Sequence, residues 1–319
     1  MTDCAVGFDT SNYTTSIAVC TLDGKVVANL KKPLPVKAGQ RGLRQSDAVF
    51  EHTRNLPELA KSLKIFLAEN DLRPVAVGVS ATPRDAEGSY MPCFLSGVAA
   101  AEVFSSALNI PLYKFSHQNG HIMAAVYSSG ETARLKNTPF VAFHVSGGTT
   151  EALYVEPNDN GLSVTLAGET DDINAGQLID RVGVMMGLSF PAGREMERLA
   201  SEYRGKIYRH PICVRDGRCS LSGGENIAAR LYEGEKDEKA VAAFVFDFVC
   251  RTLLAMGEDM EERFGRTPVL FAGGVMSNKL MRERLSARFD ACYAEPEFSA
   301  DNAAGIAILC RNAYLNDLK

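Results

Sequence analysis

A chain of 319 residues is long for one small domain, so two lobes are expected. With 46% hydrophobic and 23% charged residues it can bury a sizeable core. A formal net charge of -5 excludes a generally basic nucleic-acid coat while leaving room for a local basic groove.

No apolar run reads as a membrane span, and the start, Met1-Thr2-Asp3-Cys4, has no basic stretch ahead of an apolar one. A cytoplasmic protein without a membrane partner is expected. The eight cysteines form no CxxC pair, which argues against a zinc ribbon or redox motif and for small core residues.

The chain opens on the apolar run Val6-Gly7-Phe8-Asp9, a polar bend from Thr10 to Thr15, and a second run, Ile17 to Cys20. Leu22-Asp23-Gly24-Lys25 then turns into Val26 to Leu30, so three antiparallel strands are predicted. Residues 31 to 50 read as a loop. Leu56, Leu59, Leu63, Phe66 and Leu67 fall at helical spacing, Val75 to Val79 reads as a buried strand, and Phe94 to Leu108 as a helix. The order is β-β-β-α-β-α.

Near residue 140 the pattern restarts. Val6 to Thr15 pairs without a gap with Val141 to Thr150, at a constant offset of 135 (146 − 11 and 150 − 15). Ile17-Ala18-Val19 continues the match as Ala152-Leu153-Tyr154, which marks an internal duplication. A hairpin bend of Ser, Gly and Thr offers amides and hydroxyls suited to phosphate oxygens, and Gly147-Gly148 lets a ligand approach the backbone. The same residues also make ordinary polar turns. Two matched copies favour the phosphate reading and the architecture of the actin, Hsp70 and sugar-kinase superfamily: an α/β, two-lobed fold with a ligand cleft between lobes.

Two further features carry chemistry. Val269 to Ala272 runs as a strand into Gly273-Gly274, and a helix starts at Lys279, an arrangement suited to a nucleotide's phosphate. A tight turn with Ser277 or Asn278 as helix cap is the alternative. His117-Gln118-Asn119-Gly120-His121 puts two imidazoles on one helix face, within reach of one metal ion, but lacks the glutamate of HExxH that a zincin-type protease needs. Asp301, ahead of the apolar run Ala303 to Leu309, is a candidate third ligand or a helix cap.

Together these segments resemble the TsaD family. The resemblance rests on Gly7 to Ser11, His117 to His121, Val145 to Gly148, Gly168 to Asp172, Asp180 to Gly183, Pro191 to Gly193, Ala272 to Val275, Asn278 and Asp301 to Ala304, in order and at similar spacing. It implies lobe I over 1–136, joined by a C-terminal helix over about 302–319, and a nucleotide-binding lobe II over 137–301.

The resemblance further implies one divalent metal, iron or zinc, on His117, His121 and Asp301. It puts ATP, ADP or an acyl-adenylate, with Mg as an accompanying ion, on His144, Val145, Ser146, Gly147, Gly148, Asp180, Gly193, Glu197, Gly273, Gly274 and Asn278. Catalysis would centre on Asp9, Thr10 and Ser11. The implied reaction moves a threonylcarbamoyl group from its adenylate to N6 of an adenosine in tRNA, with helper proteins like TsaB and TsaE and a dimer as further partners.

The chain also departs from the family pattern. Ser11-Asn12-Tyr13-Thr14-Thr15 lacks the two carboxylates of Ser-Cys-Asp-Glu-Thr. Gln118-Asn119 replaces the glutamate of the metal helix, Thr149 a histidine, and Ser222-Gly223-Gly224-Glu225 the family's Ser-Gly-Leu-Lys. These departures suggest a divergent paralogue. They keep open a paralogue using ATP or an acyl- or carbamoyl-adenylate on a non-tRNA acceptor, and a non-catalytic nucleotide-binding partner subunit. A tRNA reading expects a basic patch, to which Lys31, Lys32, Lys37, Arg41 and Arg44 could contribute.

Overall fold

A computed structural model describes residues 1–11, 13–35, 43–158, 161–298 and 301–319. The chain runs β1 (Thr2–Asp9), β2 (Thr14–Thr21), β3 (Val26–Pro33), α1 (Gln45–Glu69), β4 (Leu72–Thr82), α2 (Phe94–Leu108), β5 (Leu112–Ser116) and α3 (His117–Ser128). After the single turn α4 (Thr132–Leu135) come β6 (Phe140–Val145), β7 (Thr150–Asn158), β8 (Gly161–Thr170), α5 (Ala175–Met185) and α6 (Gly193–Glu202). The hairpin β9 (Cys213–Arg215) and β10 (Arg218–Ser220) follows, then α7 (Ser222–Glu235), α8 (Glu238–Phe264), β11 (Val269–Ala272), α9 (Lys279–Ser286), β12 (Ala291–Tyr293) and α10 (Ala304–Asp317).

Two compact units emerge. One comprises 1–132, 157–163 and 297–319; the other comprises 133–156 and 164–296.

In the first unit the sheet order is β3-β2-β1-β4-β5, with β1 antiparallel to β2 and parallel to β4. Alternation decides which helix lies on which face. Val6, Phe8, Ile17, Val19, Val77 and Val79 join Leu56, Leu59 and Leu63 of α1 and Ala101 of α2 in one core. The opposite face carries small residues, and α10 lies directly on it. A Cβ on Gly7 would stand 2.5 Å from the Ala307 nitrogen, and one on Gly78 2.7 Å from Cys310 Cβ.

The second unit repeats the plan. Its sheet reads β12-β11-β6-β7-β8-β10-β9, so β8-β7-β6-β11-β12 matches the order of the first sheet. The duplication extends to register: Asp9 pairs with Ser16, and adding 135 to both gives His144 with Glu151, the pairing observed. Its core gathers Phe143, Phe271 and the apolar face of α8, with Phe143 stacked on Phe271 at 5.2 Å.

Several expectations need correction. β3 reaches Pro33 and α1 begins at Gln45, so only part of 31–50 is loop among the described residues. The Asp216-Gly217 hairpin between β9 and β10 went unread, although both residues have the positive φ that such a two-residue turn demands, 50° and 75°. The statement on membrane spans also fails on length and composition. α8 has 27 residues with a mean hydropathy of 1.7 over its most apolar window, but 78% of that window is buried, as in a core helix. None of the eight cysteines is in a disulfide; seven are buried and Cys213 is exposed.

Candidate metal centre and nucleotide pocket

The Ser116 hydroxyl caps α3 by accepting from the Asn119 amide at 3.2 Å, so His117 is the first helical residue and His121 stands one turn on. Their rings meet edge to face, centroids 4.3 Å apart. Helix α10 crosses α3 at two glycines. A Cβ on Gly305 would lie 1.8 Å from the Gly120 carbonyl oxygen, so only glycine allows this approach.

The crossing sets Asp301, just ahead of α10, against both rings. Its Oδ1 lies 3.1 Å from His121 Nε2 and 3.6 Å from His117 Nε2. Asp301 therefore does not cap α10, whose cap is Ala303. One ligand atom from each of His117, His121 and Asp301 lies within 4.8 Å of the other two.

Asp9, at the end of β1, stands behind this triad. It is buried, and its Oδ2 takes His117 Nδ1 at 2.7 Å and the Ser80 hydroxyl at 2.9 Å, while Oδ1 takes the Ser11 amide at 2.7 Å. Burial opposes protonation of His117, but the Asp9 charge and hydrogen bonds to Asp301 and Asp9 prevail and lift it to about 10. Burial would likewise raise Asp301, yet hydrogen bonds from His117 and His121 hold it far below the usual carboxylate range.

A metal ion binding here would displace the proton that these charges hold on His117. Two imidazoles and a carboxylate suit iron or zinc, and three protein ligands leave positions for a substrate oxygen, as in catalytic rather than structural sites.

Thr10 and Ser11 are fully buried. The Thr10 hydroxyl donates to the Cys93 carbonyl and accepts from the Gly97 amide, each at 3.0 Å, and so ties β1 to the start of α2. Ser11 Oγ has no partner among the described residues.

The sequence reading missed His52. It is wholly buried on α1, its Nδ1 is 2.9 Å from Thr15 Oγ1, and Asn55 Nδ2 donates to the same hydroxyl at 3.1 Å. Burial pushes the imidazole down to about 4, against the charges of Asp9 and Asp301. The signal was present: 52, 56, 59 and 63 continue the apolar face of α1 back by one turn.

In the second unit a pocket of about 510 Å³ brings together Gly147, Asp180, Gly193, Glu197, Gly274 and Asn278 from the expected set, with Ile179, Phe246 and Arg194 beside them. That volume lies in the range of small-ligand sites. Gly147 and Gly148 are exposed with open space around them. Ser146 closes its own turn, its hydroxyl accepting from the Gly148 and Thr149 amides at 3.1 and 3.0 Å. Val145 is buried, and His144 faces Ala272 across the β6–β11 ladder.

Gly273 has φ +101°, and a Cβ there would sit 2.2 Å from the Val145 carbonyl oxygen. Asp180 Oδ1 accepts from the Ala192 amide at 2.8 Å. The start of α9 is occupied from within: Asn278 Oδ1 accepts from the Met281 amide at 2.9 Å and Glu197 Oε1 from the Lys279 amide at 2.8 Å. The cap alternative for Asn278 therefore holds, while its Nδ2 is buried without a partner.

Asp172, at the end of the segment Gly168 to Asp172, organises a loop. It accepts from the Ser220 and Ser222 hydroxyls and from the Leu221, Ser222 and Ile173 amides. Of the basic residues, Lys31 donates to the Glu297 carbonyl and Lys32 pairs with Glu58. Lys37 and Arg41, like Asn12, lie outside the described residues.

Residues 36–308 match the family model TsaD, tRNA N6-adenosine threonylcarbamoyltransferase. A protein of that name from Methanopyrus kandleri is 29% identical over 308 residues, covering 95% of this chain and 85% of the relative. One from Thermus thermophilus is 33% identical over 307 residues, covering 95% and 90%. Among solved structures, HypF of T. kodakarensis superposes with a TM-score of 0.63 at 14% identity, covering 99% of this chain and 48% of that one. That likeness speaks to the fold alone.

Proposed function

The chain belongs to the TsaD family, and from that premise we propose that it transfers a threonylcarbamoyl group from threonylcarbamoyl-adenylate to N6 of an adenosine in tRNA. The observation that carries the reading is the triad His117, His121 and Asp301, with the buried Asp9 behind His117. These three residues would hold one divalent ion, iron or zinc, and when bound it supplies a Lewis-acid charge for a carbonyl or phosphate oxygen.

The chain's own groups then bind and orient. The pocket around Asp180, Gly193, Glu197 and Asn278 takes the nucleotide part of the adenylate. The amine attacks the carbamoyl carbon, a C–N bond forms, and the C–O bond to the adenylate phosphate breaks. AMP leaves with that electron pair and the amine gives up a proton. Such a reaction asks for positioning and charge stabilisation rather than a covalent nucleophile on the protein. A cytoplasmic location goes with this reading.

A second reading has one specific support. The hairpin Ser11 to Thr15 carries no carboxylate, and Tyr13 is 44% exposed there. A paralogue with a different acceptor would tolerate that change. A non-catalytic partner subunit would tolerate it too, but would have no use for an intact donor triad.

The deciding experiment supplies threonylcarbamoyl-adenylate, unmodified tRNA and TsaB- and TsaE-like helper proteins, and measures modified adenosine by mass spectrometry. Modified adenosine is expected. Consumption of the adenylate without it would move the assignment to another acceptor, and nucleotide binding without turnover to a partner subunit.

A further inference from the structure

Asp9 was expected at the reacting atoms, but its surroundings indicate a different task. Its side chain is 1% exposed, on the small-residue face of the first sheet, and its oxygens are already engaged by Ser80, Ser11 and His117. We infer that Asp9 is a positioning residue for the metal centre: its carboxylate fixes the His117 ring so that Nδ1 carries the proton and Nε2 faces Asp301 and the ion.

An imidazole can turn about its Cβ–Cγ bond and carry its proton on either nitrogen, and only one combination presents a lone pair to a ligand-side atom. His117 Nδ1 lies 2.7 Å from Asp9 Oδ2, a charge-assisted hydrogen-bond distance, whereas Nε2 lies on the Asp301 side at 3.6 Å. Asp9 is itself held: the Ser80 hydroxyl donates to the same oxygen and the Ser11 amide to the other.

The chain of support thus runs from the ends of β1 and β4 through Asp9 to the first residue of α3. Carboxylate partners of ligating histidines typically carry 10–100-fold of metal affinity. This inference rests on the reading of His117, His121 and Asp301 as metal ligands.

The test measures Zn²⁺ affinity by competition with a chromophoric chelator, and the visible absorption of the Co²⁺-loaded protein, in the full chain. Asp9→Asn should bind Zn²⁺ about 10–100-fold more weakly and shift the Co²⁺ bands. Asp9→Glu should recover part of the affinity, and Ser80→Ala, which only loosens Asp9, should lose a few-fold. A role confined to stability would lower the melting temperature and leave the Co²⁺ spectrum unmoved.

Asp9→Asn or, should that variant not fold, Ser80→Ala with wild-type affinity and an unshifted spectrum overturns the inference. If wild-type and His121→Ala proteins bind Zn²⁺ equally, the metal reading itself falls and the inference with it. The two failures are distinguished by whether His121→Ala binds Zn²⁺ more weakly than the wild type.

Discussion

Gly305 rests on Gly120 so closely that the two helices meet backbone to backbone, a Cβ on Gly305 falling 1.8 Å from the Gly120 carbonyl oxygen. The candidate metal centre depends on this contact, because α3 carries both histidines and Asp301 precedes α10. Gly305→Ala must push the helices apart. It is expected to cost about 1–3 kcal/mol or more in denaturant unfolding and to reduce metal content by elemental analysis. Full metal content in a folded Gly305→Ala protein would count against the crossing as the device that assembles the triad.

Metal removal gives the second prediction. An ion bound only by the folded chain stabilises it by mass action, about 2.7 kcal/mol at a hundredfold excess over the dissociation constant. A chelator should therefore lower the melting temperature of the wild type and leave that of His121→Ala unchanged. Equal shifts in both would place the stabilising ion elsewhere.

His52 sets an acid limit on stability. Its imidazole titrates near 4 in the fold, against 6.5 ordinarily, because burial disfavours the charged form. Its contribution is full above pH 6.5 and is lost as pH falls through 4, where the unfolded chain gains the proton first. The loss should approach about 3 kcal/mol for a shift of this size. Urea unfolding between pH 7 and 4.5 should show a shallower decline for His52→Gln than for the wild type; parallel declines would point to other groups.

Asn278 separates capping from ligand binding. Asn278→Ala should cost about 1 kcal/mol through loss of the α9 cap. Asn278→Asp keeps a cap acceptor and should retain that stability, yet puts a carboxylate where the amide nitrogen stood. Its affinity for ATP by calorimetry should fall, and unchanged ATP affinity would remove Asn278 from the nucleotide pocket.

What could be read from the sequence follows from how far each feature depends on distant residues. The hairpins were legible because strand alternation and the Asp23-Gly24 turn are local, and the 135-residue offset needed only a comparison of the chain with itself. The pair His117 and His121 was legible as a helix face. Its union with Asp301, 180 positions on, came from the family resemblance and not from spacing, since several carboxylates could have served and only the packing of α3 on α10 selects one.

Asp9 was singled out, but not the donors that surround it at Ser80 and His117, which lie 71 and 108 positions away. α1 began earlier than expected because Gln45-Ser46-Asp47 are polar and offer no periodic signal. The apolar length of α8 is not evident in the sequence because Asp247 and Arg251 divide it, while its apolar residues form the core of the second unit.

The common register of the two hairpins has a historical consequence. If the two hairpins descend from one by duplication, both began with the same residues at the same ladder steps. The end-of-strand position is now Asp9 in one copy and His144 in the other, and the residue across from it is Ser16 or Glu151. The acid stands on opposite strands of the two hairpins at the same ladder step. Each hairpin position therefore has an inherited twin 135 residues away, and exchanging twin residues asks which chemistry belongs to the bend and which was acquired after the halves were joined.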